Sequence, residues 1–135
     1  MKIKVSEASG VQLDWLVAKC EGFVKISVWP TEICVCKKHS FEDPVVWCPS
    51  TDWAQGGPII EREGINLEFD REWVYDPANA DPDDEPDNGD RWRAEYNMRG
   101  DKYVSDYGPT PLIAAMRCFV ASKLGDEVEV PDELC

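Results

Sequence analysis

The sequence predicts a single α+β domain in which helices cover a mostly antiparallel sheet. Three observations carry that prediction. Apolar residues recur at helical spacing in three windows, near 9–21, 51–63 and 111–124. Short segments rich in β-branched and aromatic residues lie between them. The resulting order is helix, strands, helix, strands, helix, with no internal repeat. A chain of 135 residues suits one domain and buries an ordinary core without disulfides or a structural metal.

Lys2–Val5 has the composition of a short strand. Ser9-Gly10-Val11-Gln12 has the form of a capping box, with Gln12 three residues after the cap. Leu13, Leu16, Val17 and Cys20 then recur at helical spacing until Gly22 supplies the stop. Phe23–Trp29 (FVKISVW) reads as a strand ended by Pro30, and Thr31–Lys37 returns as its hairpin partner. Residues 38–50 read as a connecting loop. Ser50 is the expected cap of a first turn through Trp53. Gly56-Gly57-Pro58 interrupts that helix, so Pro58 is expected to open a second short helix, Pro58–Glu63, ended by Gly64. Ile65–Phe69 alternates apolar and polar residues as a half-buried strand does, with a short continuation over Glu72–Tyr75.

Asp76–Asp90, DPANADPDDEPDNGD, holds seven acids, three prolines and no large apolar residue, so an exposed acidic loop is expected at 76–90. Arg91–Met98 resumes as a strand with Trp92, Ala94 and Tyr96 on one face. Arg99-Gly100-Asp101-Lys102 turns, and Tyr103–Tyr107 pairs back. The last helix has Thr110 as its cap, Pro111 at its first position, and Leu112 to Leu124 running to Gly125. Its core face is Leu112, Ala115, Met116, Phe119 and Val120, and Lys123 lies near its end, where the helix dipole favours a cation. The tail at 126–135, DEVEVPDELC, carries five acids and is expected to be peripheral.

A net charge of −13, from 14 basic and 27 acidic side chains, argues against direct nucleic-acid binding, because phosphates are repelled. Solubility is the plain consequence of such a charge; presenting DNA-like charge to a DNA-binding protein is the functional one. No run approaches the roughly 18 apolar residues of a membrane span, and MKIKVSEASG has no apolar signal core. A cytosolic setting is expected, with free thiols at Cys20, Cys34, Cys36, Cys48, Cys118 and Cys135. Cys20 and Cys118 read as small buried hydrophobes.

The stretch Ser50-Thr51-Asp52-Trp53, with the Gly56 and Gly57 amides, forms the candidate ligand site. Amides at a helix start attract anions, Trp53 has a face for a base, and Arg62 suits a phosphate or carboxylate. The start of the Thr110 helix is its expected neighbour, placing two helix N-termini at one pocket. On a purely structural reading, Ser50 caps, Trp53 anchors the helix in the core and the glycines let two backbones approach. Neither a Walker lysine nor a G-x-G-x-x-G frame accompanies them.

Cys34, Cys36, His39 and Cys48, with Glu42 or Asp43 as substitutes, are zinc-ligand types, but the familiar C-x₂₋₄-C spacing is missing and no metal is expected. Asp84, Asn88, Gly89 and Glu95 fall at positions one, five, six and twelve of a calcium loop. However, Pro86 stands where a carboxylate is needed, and no flanking helices are predicted. The lone His39 has no motif around it, and no G-x-S-x-G or H-E-x-x-H occurs. Glu61 and Glu63 are two apart on a helix and do not share a face. Lys37 and Lys38 follow Cys36 and would favour its thiolate, but adjacency alone does not make a reactive thiol. The chain is therefore expected to be non-enzymatic and to need no cofactor.

MKIKVSEASGVQLDWLVAKCEG, PSTDWAQGGPIIEREGI and GPTPLIAAMRCFVASKLGDEVEVP together cover roughly half the chain and resemble the NinX family of small phage proteins. The resemblance implies an origin in temperate tailed phages or prophages and residence in the host cytoplasm. It implies no reaction, since the family is a domain of unknown function. Pro49-Ser50-Thr51-Asp52-Trp53 and Thr110-Pro111-Leu112-Ile113-Ala114 are also similar to a broader group of phage α-β-α sandwich proteins, which implies a sheet between helical layers. The Gly-Gly-Pro after Trp53 departs from that group's pattern. The expected function is an interaction protein that binds a host or phage protein through an acidic surface, led by Asp81, Asp83, Asp84, Glu85 and Asp87. The alternative is a small-molecule, nucleotide-like binder or sequestering protein that uses PSTDWAQGGP. Neither nucleic acid nor membrane is an expected partner.

Overall fold

A computed structural model of the chain describes residues 1–23, 25–29, 32–36, 44–69, 78, 91–97 and 103–134. Its elements are β1 (Lys2–Lys4), a 3-10 turn (Val5–Glu7), α1 (Gly10–Glu21), β2 (Lys25–Val28), β3 (Ile33–Cys36), β4 (Val45–Trp47) and α2 (Trp53–Glu63). There follow β5 (Asn66–Phe69), β6 (Trp92–Asn97), β7 (Tyr103–Gly108), α3 (Pro111–Leu124), β8 (Glu127–Glu129) and a closing 3-10 turn (Asp132–Leu134). The class is α+β, as the sequence predicts, and the described strand pairings are antiparallel. The strands divide into three small sheets, β1-β8, β2-β3-β4 and β5-β6-β7, rather than one.

The buried centre is a helix. Every residue of α3 from 114 to 121 is buried, not only the predicted stripe, and α1, β6, β7 and the Val5–Glu7 turn pack around it. A helix with little polar surface of its own belongs in this position. Its one charged exception, Arg117, is 6% exposed and donates from Nε to the Ala8 carbonyl and from Nη1 to the Tyr107 carbonyl, both at 2.8 Å. Leu13, Leu16 and Val17 of α1, Ile59 of α2 and Ala94 of β6 complete the main core with Met116, Phe119 and Val120. A smaller cluster, Ala18, Ile33 and Val35, packs against Phe23, Ile26 and Val28, and Trp15 and Trp47 touch both clusters.

Four expectations are corrected. The Ser9 capping box does not form: Ser9 sits at the cap position without a side-chain bond, and Gln12 Nε2 instead donates to the Leu134 carbonyl at 2.8 Å. The loop expected over 38–50 contains β4, whose three residues pair with β3 in the register Ile33↔Trp47, Cys34↔Val46 and Val35↔Val45. The middle helix is continuous from Trp53 to Glu63 with Pro58 inside it, and its cap is Asp52, not Ser50. Packing outweighs the poor helix propensity of Gly-Gly-Pro, because Gly56 and Ile59 are buried by the contact. The tail is not peripheral throughout: β8 pairs with β1, and Val128 and Val130 enter the core. Apart from Ala78, the acidic stretch 76–90 lies outside the described residues, as do 72–75, the turn 99–102 and His39.

Gly108 ends β7 against the first turn of α3. A Cβ there would stand 2.6 Å from the Ala114 amide nitrogen and 3.0 Å from its Cα, both backbone atoms that cannot rotate away. Gly108→Ala is expected to lower unfolding stability by about 2 kcal/mol or more. Gly57→Ala, inside α2 with only ordinary contact to the Trp53 ring at 3.8 Å, should raise it by about 0.5–1 kcal/mol. Urea unfolding of the two variants checks both signs, and an unaffected Gly108→Ala would contradict the close packing.

Candidate functional site

The site begins with a tight turn. The Cys48 carbonyl accepts from the Thr51 and Asp52 amides at 3.1 and 2.9 Å, which turns the chain from β4 into α2. The turn buries Ser50, 1% exposed, and points its amide at Asp14 Oδ1 on α1, 2.9 Å away. Asp52 then caps α2, its Oδ1 accepting from the Ala54 amide at 2.9 Å. Gln55 reaches back to β4, donating from Nε2 to the Val46 carbonyl at 2.7 Å and accepting from the Cys48 amide at 2.6 Å. Gly56 permits the approach of α2 to α3: a Cβ there would lie 2.4 Å from the Pro49 carbonyl oxygen and 2.6 Å from Leu112 Cδ2.

These contacts set Ser50, Thr51 and Trp53 opposite Thr110, Pro111, Leu112 and Ile113 across a cleft of about 220 Å³. The starts of α2 and α3 therefore meet, as the sequence reading expects. Trp53 is 54% exposed beside the cleft and is not a core anchor. Gly56 is a packing residue and Gly57 faces the Trp53 ring; neither lines the cleft. Arg62 lies elsewhere, with its guanidinium paired to both oxygens of Glu21, to Glu63 at 3.1 Å, and set 5.9 Å from the Phe119 ring centroid. It borders a separate, largely apolar groove of about 440 Å³ with Phe23, Trp47 and Ile59.

The donors expected to hold an anion are mostly occupied. Ala54, Gln55 and Gly56 donate to Asp52, and Ile113 and Ala114 donate to Thr110. The Asp52 carboxylate already provides the negative charge that the α2 dipole favours. Beneath the turn, burial pushes the Asp14 carboxyl up to about 6, with the Ser50 amide and, less, its hydroxyl favouring the ionised form. The Ser50 hydroxyl itself has no partner at hydrogen-bond geometry. Asp14 escaped the sequence reading, although an acid beside Leu13 and one turn before Val17 and Ala18 is the pattern of a carboxylate turned toward a core.

Cys34 and Cys36 share one face of β3, opposite buried Ile33 and Val35. Among the described residues, no group of three His, Cys, Asp or Glu side chains converges on a metal position. His39, Glu42, Asp43 and Cys135 lie outside those residues, as do Asp81, Asp83, Asp84, Glu85, Asp87, Asn88 and Gly89. Burial pushes the thiols of Cys20 and Cys118 up to about 12, so both are inert hydrophobes at neutral pH.

The fold and site define a small α+β domain with two helix starts at a shallow cleft. The family model described as Bacteriophage P22, NinX matches residues 4–123 of the 135, and the chain belongs to that family. No curated protein matches the chain. Among the described residues, no helix is long and apolar enough to cross a membrane.

The raised Asp14 carboxyl makes stability depend on pH. Near pH 3 the side chain is mostly protonated in both folded and unfolded states, and no charge has to be buried. Between about pH 4 and 6 the unfolded chain ionises first, so stability falls as pH rises, by about 3 kcal/mol in all. Asp14→Asn keeps an acceptor for the Ser50 amide and removes the charge. Urea midpoints from pH 4 to 7 should show this fall removed in the variant; parallel curves would mean that Asp14 ionises as in water.

Proposed function

We propose that this protein is a non-enzymatic phage accessory protein that works in the host cytoplasm by binding the basic surface of a host or phage protein. The observation that supports this reading is the net charge of −13 together with the placement of the cations. Arg62 is held by Glu21 and Glu63, Arg93 by Glu95 and Glu68, and Lys2 by Glu127. The N-terminal amine meets Glu129 and Asp132. These cations are tied to the domain's own acids, and Arg117 is buried on carbonyls. The excess carboxylates therefore dominate the field that an approaching protein meets. Such a field steers a basic partner and repels nucleic acid. The nucleotide-like alternative has less support, because an anion at the helix starts would face Asp52 and amides already in use.

Capture of partners from host lysate by the tagged chain, followed by affinity measurement, tests the proposal. Binding should weaken at least about tenfold between 50 and 300 mM salt. Replacing Asp81, Asp83, Asp84, Glu85 and Asp87 by their amides should reduce it similarly. Binding indifferent to both changes would overturn the reading.

A further inference from the structure

We propose that the free edge of β8 takes an extended segment of the partner protein as a third strand, one that carries a basic, an apolar and a basic residue in succession. The inference rests on the acidic-surface reading and names the segment that this surface would bind. Hydrogen-bond phase is the first argument. In the β1-β8 pair the Val5 amide donates to the Asp126 carbonyl at 2.8 Å, and the Val130 amide donates to the Met1 carbonyl at 2.9 Å. The register sets Ile3 opposite Val128 between them. Bonded and non-bonded pairs alternate along an antiparallel ladder, so Asp126, Val128 and Val130 turn their peptide groups toward β1. The amides and carbonyls of Glu127 and Glu129 therefore face the other margin, and among the described residues no strand pairs with it. Elsewhere side chains close such margins. Gln55 bonds the outer groups of β4, and on β7 Asp106 Oδ1 accepts from the Tyr107 amide while Arg117 Nη1 donates to its carbonyl. Among the described residues, nothing closes Glu127 and Glu129 in this way.

The second argument is the groove beside that margin. About 360 Å³ in volume, it is lined by all three β8 residues and, across from them, by Trp15, Leu16, Lys19 and Leu124. No β1 residue lines it, so it follows the unpaired side of β8. Alternation of side chains then fixes the pattern of an added strand. Glu127 and Glu129 point to solvent and Val128 to the core. Residues opposite the two glutamates share their solvent side. The residue between them shares the side of Val128 and meets Trp15 and the half-exposed Leu124. Strand addition of this kind draws affinity from main-chain bonds and specificity from the pocket under alternate side chains.

Charge selects the occupant. A second copy of β8 laid antiparallel on the first would set Glu127 against Glu129 twice, and like charges directly opposite repel. Arginine or lysine at those positions pairs with the glutamates instead. Their present partners, Lys2 at 3.1 Å from Glu127 and the N-terminal amine at 3.3 Å from Glu129, form exposed pairs that compete weakly. Lys19, the one cation lining the groove, is drawn over the Trp15 ring, 5.2 Å from its centroid.

The test is a titration of the full chain with an acetylated, amidated peptide, Thr-Arg-Val-Arg-Thr, followed by amide resonances and hydrogen exchange. Comparison peptides carry glutamate for arginine, serine for valine, or N-methyl groups on both arginine amides. Saturable shifts at Glu127, Glu129, Leu124 and the Trp15 indole are expected, with slower exchange of the Glu127 and Glu129 amides. N-methylation should weaken binding about tenfold or more, since it removes two hydrogen bonds. Leu124→Ser, at an exposed position, should weaken the valine peptide and leave the serine one unchanged. Glu127→Lys with Glu129→Lys should turn the preference to the acidic peptide. The same titration on the chain with Asp81, Asp83, Asp84, Glu85 and Asp87 neutralised separates the two proposals: peptide binding kept there supports the β8 site even where partner capture is lost. Binding that ignores N-methylation, an equal response to the acidic peptide, shifts confined to other surfaces, or no saturable binding would each overturn the β8 site and leave the acidic-surface reading standing.

Discussion

Enclosure of α3 on all sides is the constraint on which the rest of this domain depends. Its run from Ala114 to Ala121 has no solvent face, so other elements must supply every wall. This explains the small residues at the contacts. Ala114 admits β7 and its Gly108, and Ala121 lies near the end of the helix. It also explains the buried Arg117, which satisfies two backbone carbonyls, Ala8 and Tyr107, from separate surrounding elements. The guanidinium is one of the few side chains that can bridge two carbonyls from inside a helix packed on every face.

The cleft follows from this enclosure. The start of α3 is fixed by Thr110 and Pro111 at the edge of the core, and α2 must lean on it through Gly56 to bury Ile59. Two helix starts thereby come together without any ligand to draw them. Electrostatic strain from the two dipoles is relieved locally by Asp52. The buried Asp14 holds the connecting turn by the Ser50 amide, so a charged tie links α1 to the wall of the cleft.

The legible part of the sequence was the part governed by local rules. Thr110-Pro111 and Gly125 bound α3 as predicted, the Phe23–Lys37 hairpin forms through β2 and β3, and Trp92, Ala94 and Tyr96 share the core side of β6. Misreadings arose where tertiary contacts override local preference. Gly56-Gly57-Pro58 looks like a break and becomes helix interior, because burial against Pro49 and Leu112 outweighs propensity. Gln12 finds its partner at Leu134, on the far end of the chain, instead of three residues away at Ser9. Val128 and Val130, two apart among acids, carry the alternation of a strand that the high charge of the tail conceals. In the candidate site, the meeting of the two helix starts was readable, whereas Arg62 lies near the far end of α2 and borders another groove, and the burial of Ser50 follows from the turn that ties its amide to Asp14.

Gln55 has a consequence beyond its own helix. β4 is the outer strand of its sheet and shows two exposed valines, Val45 and Val46. Bare apolar edges of this kind recruit strands from other chains into aggregates. By accepting from the Cys48 amide and donating to the Val46 carbonyl, the Gln55 carboxamide occupies the positions that a neighbouring peptide group would take. One side chain thus imitates a fourth strand and denies that stretch of edge to intruders, at a sheet margin where valines are displayed.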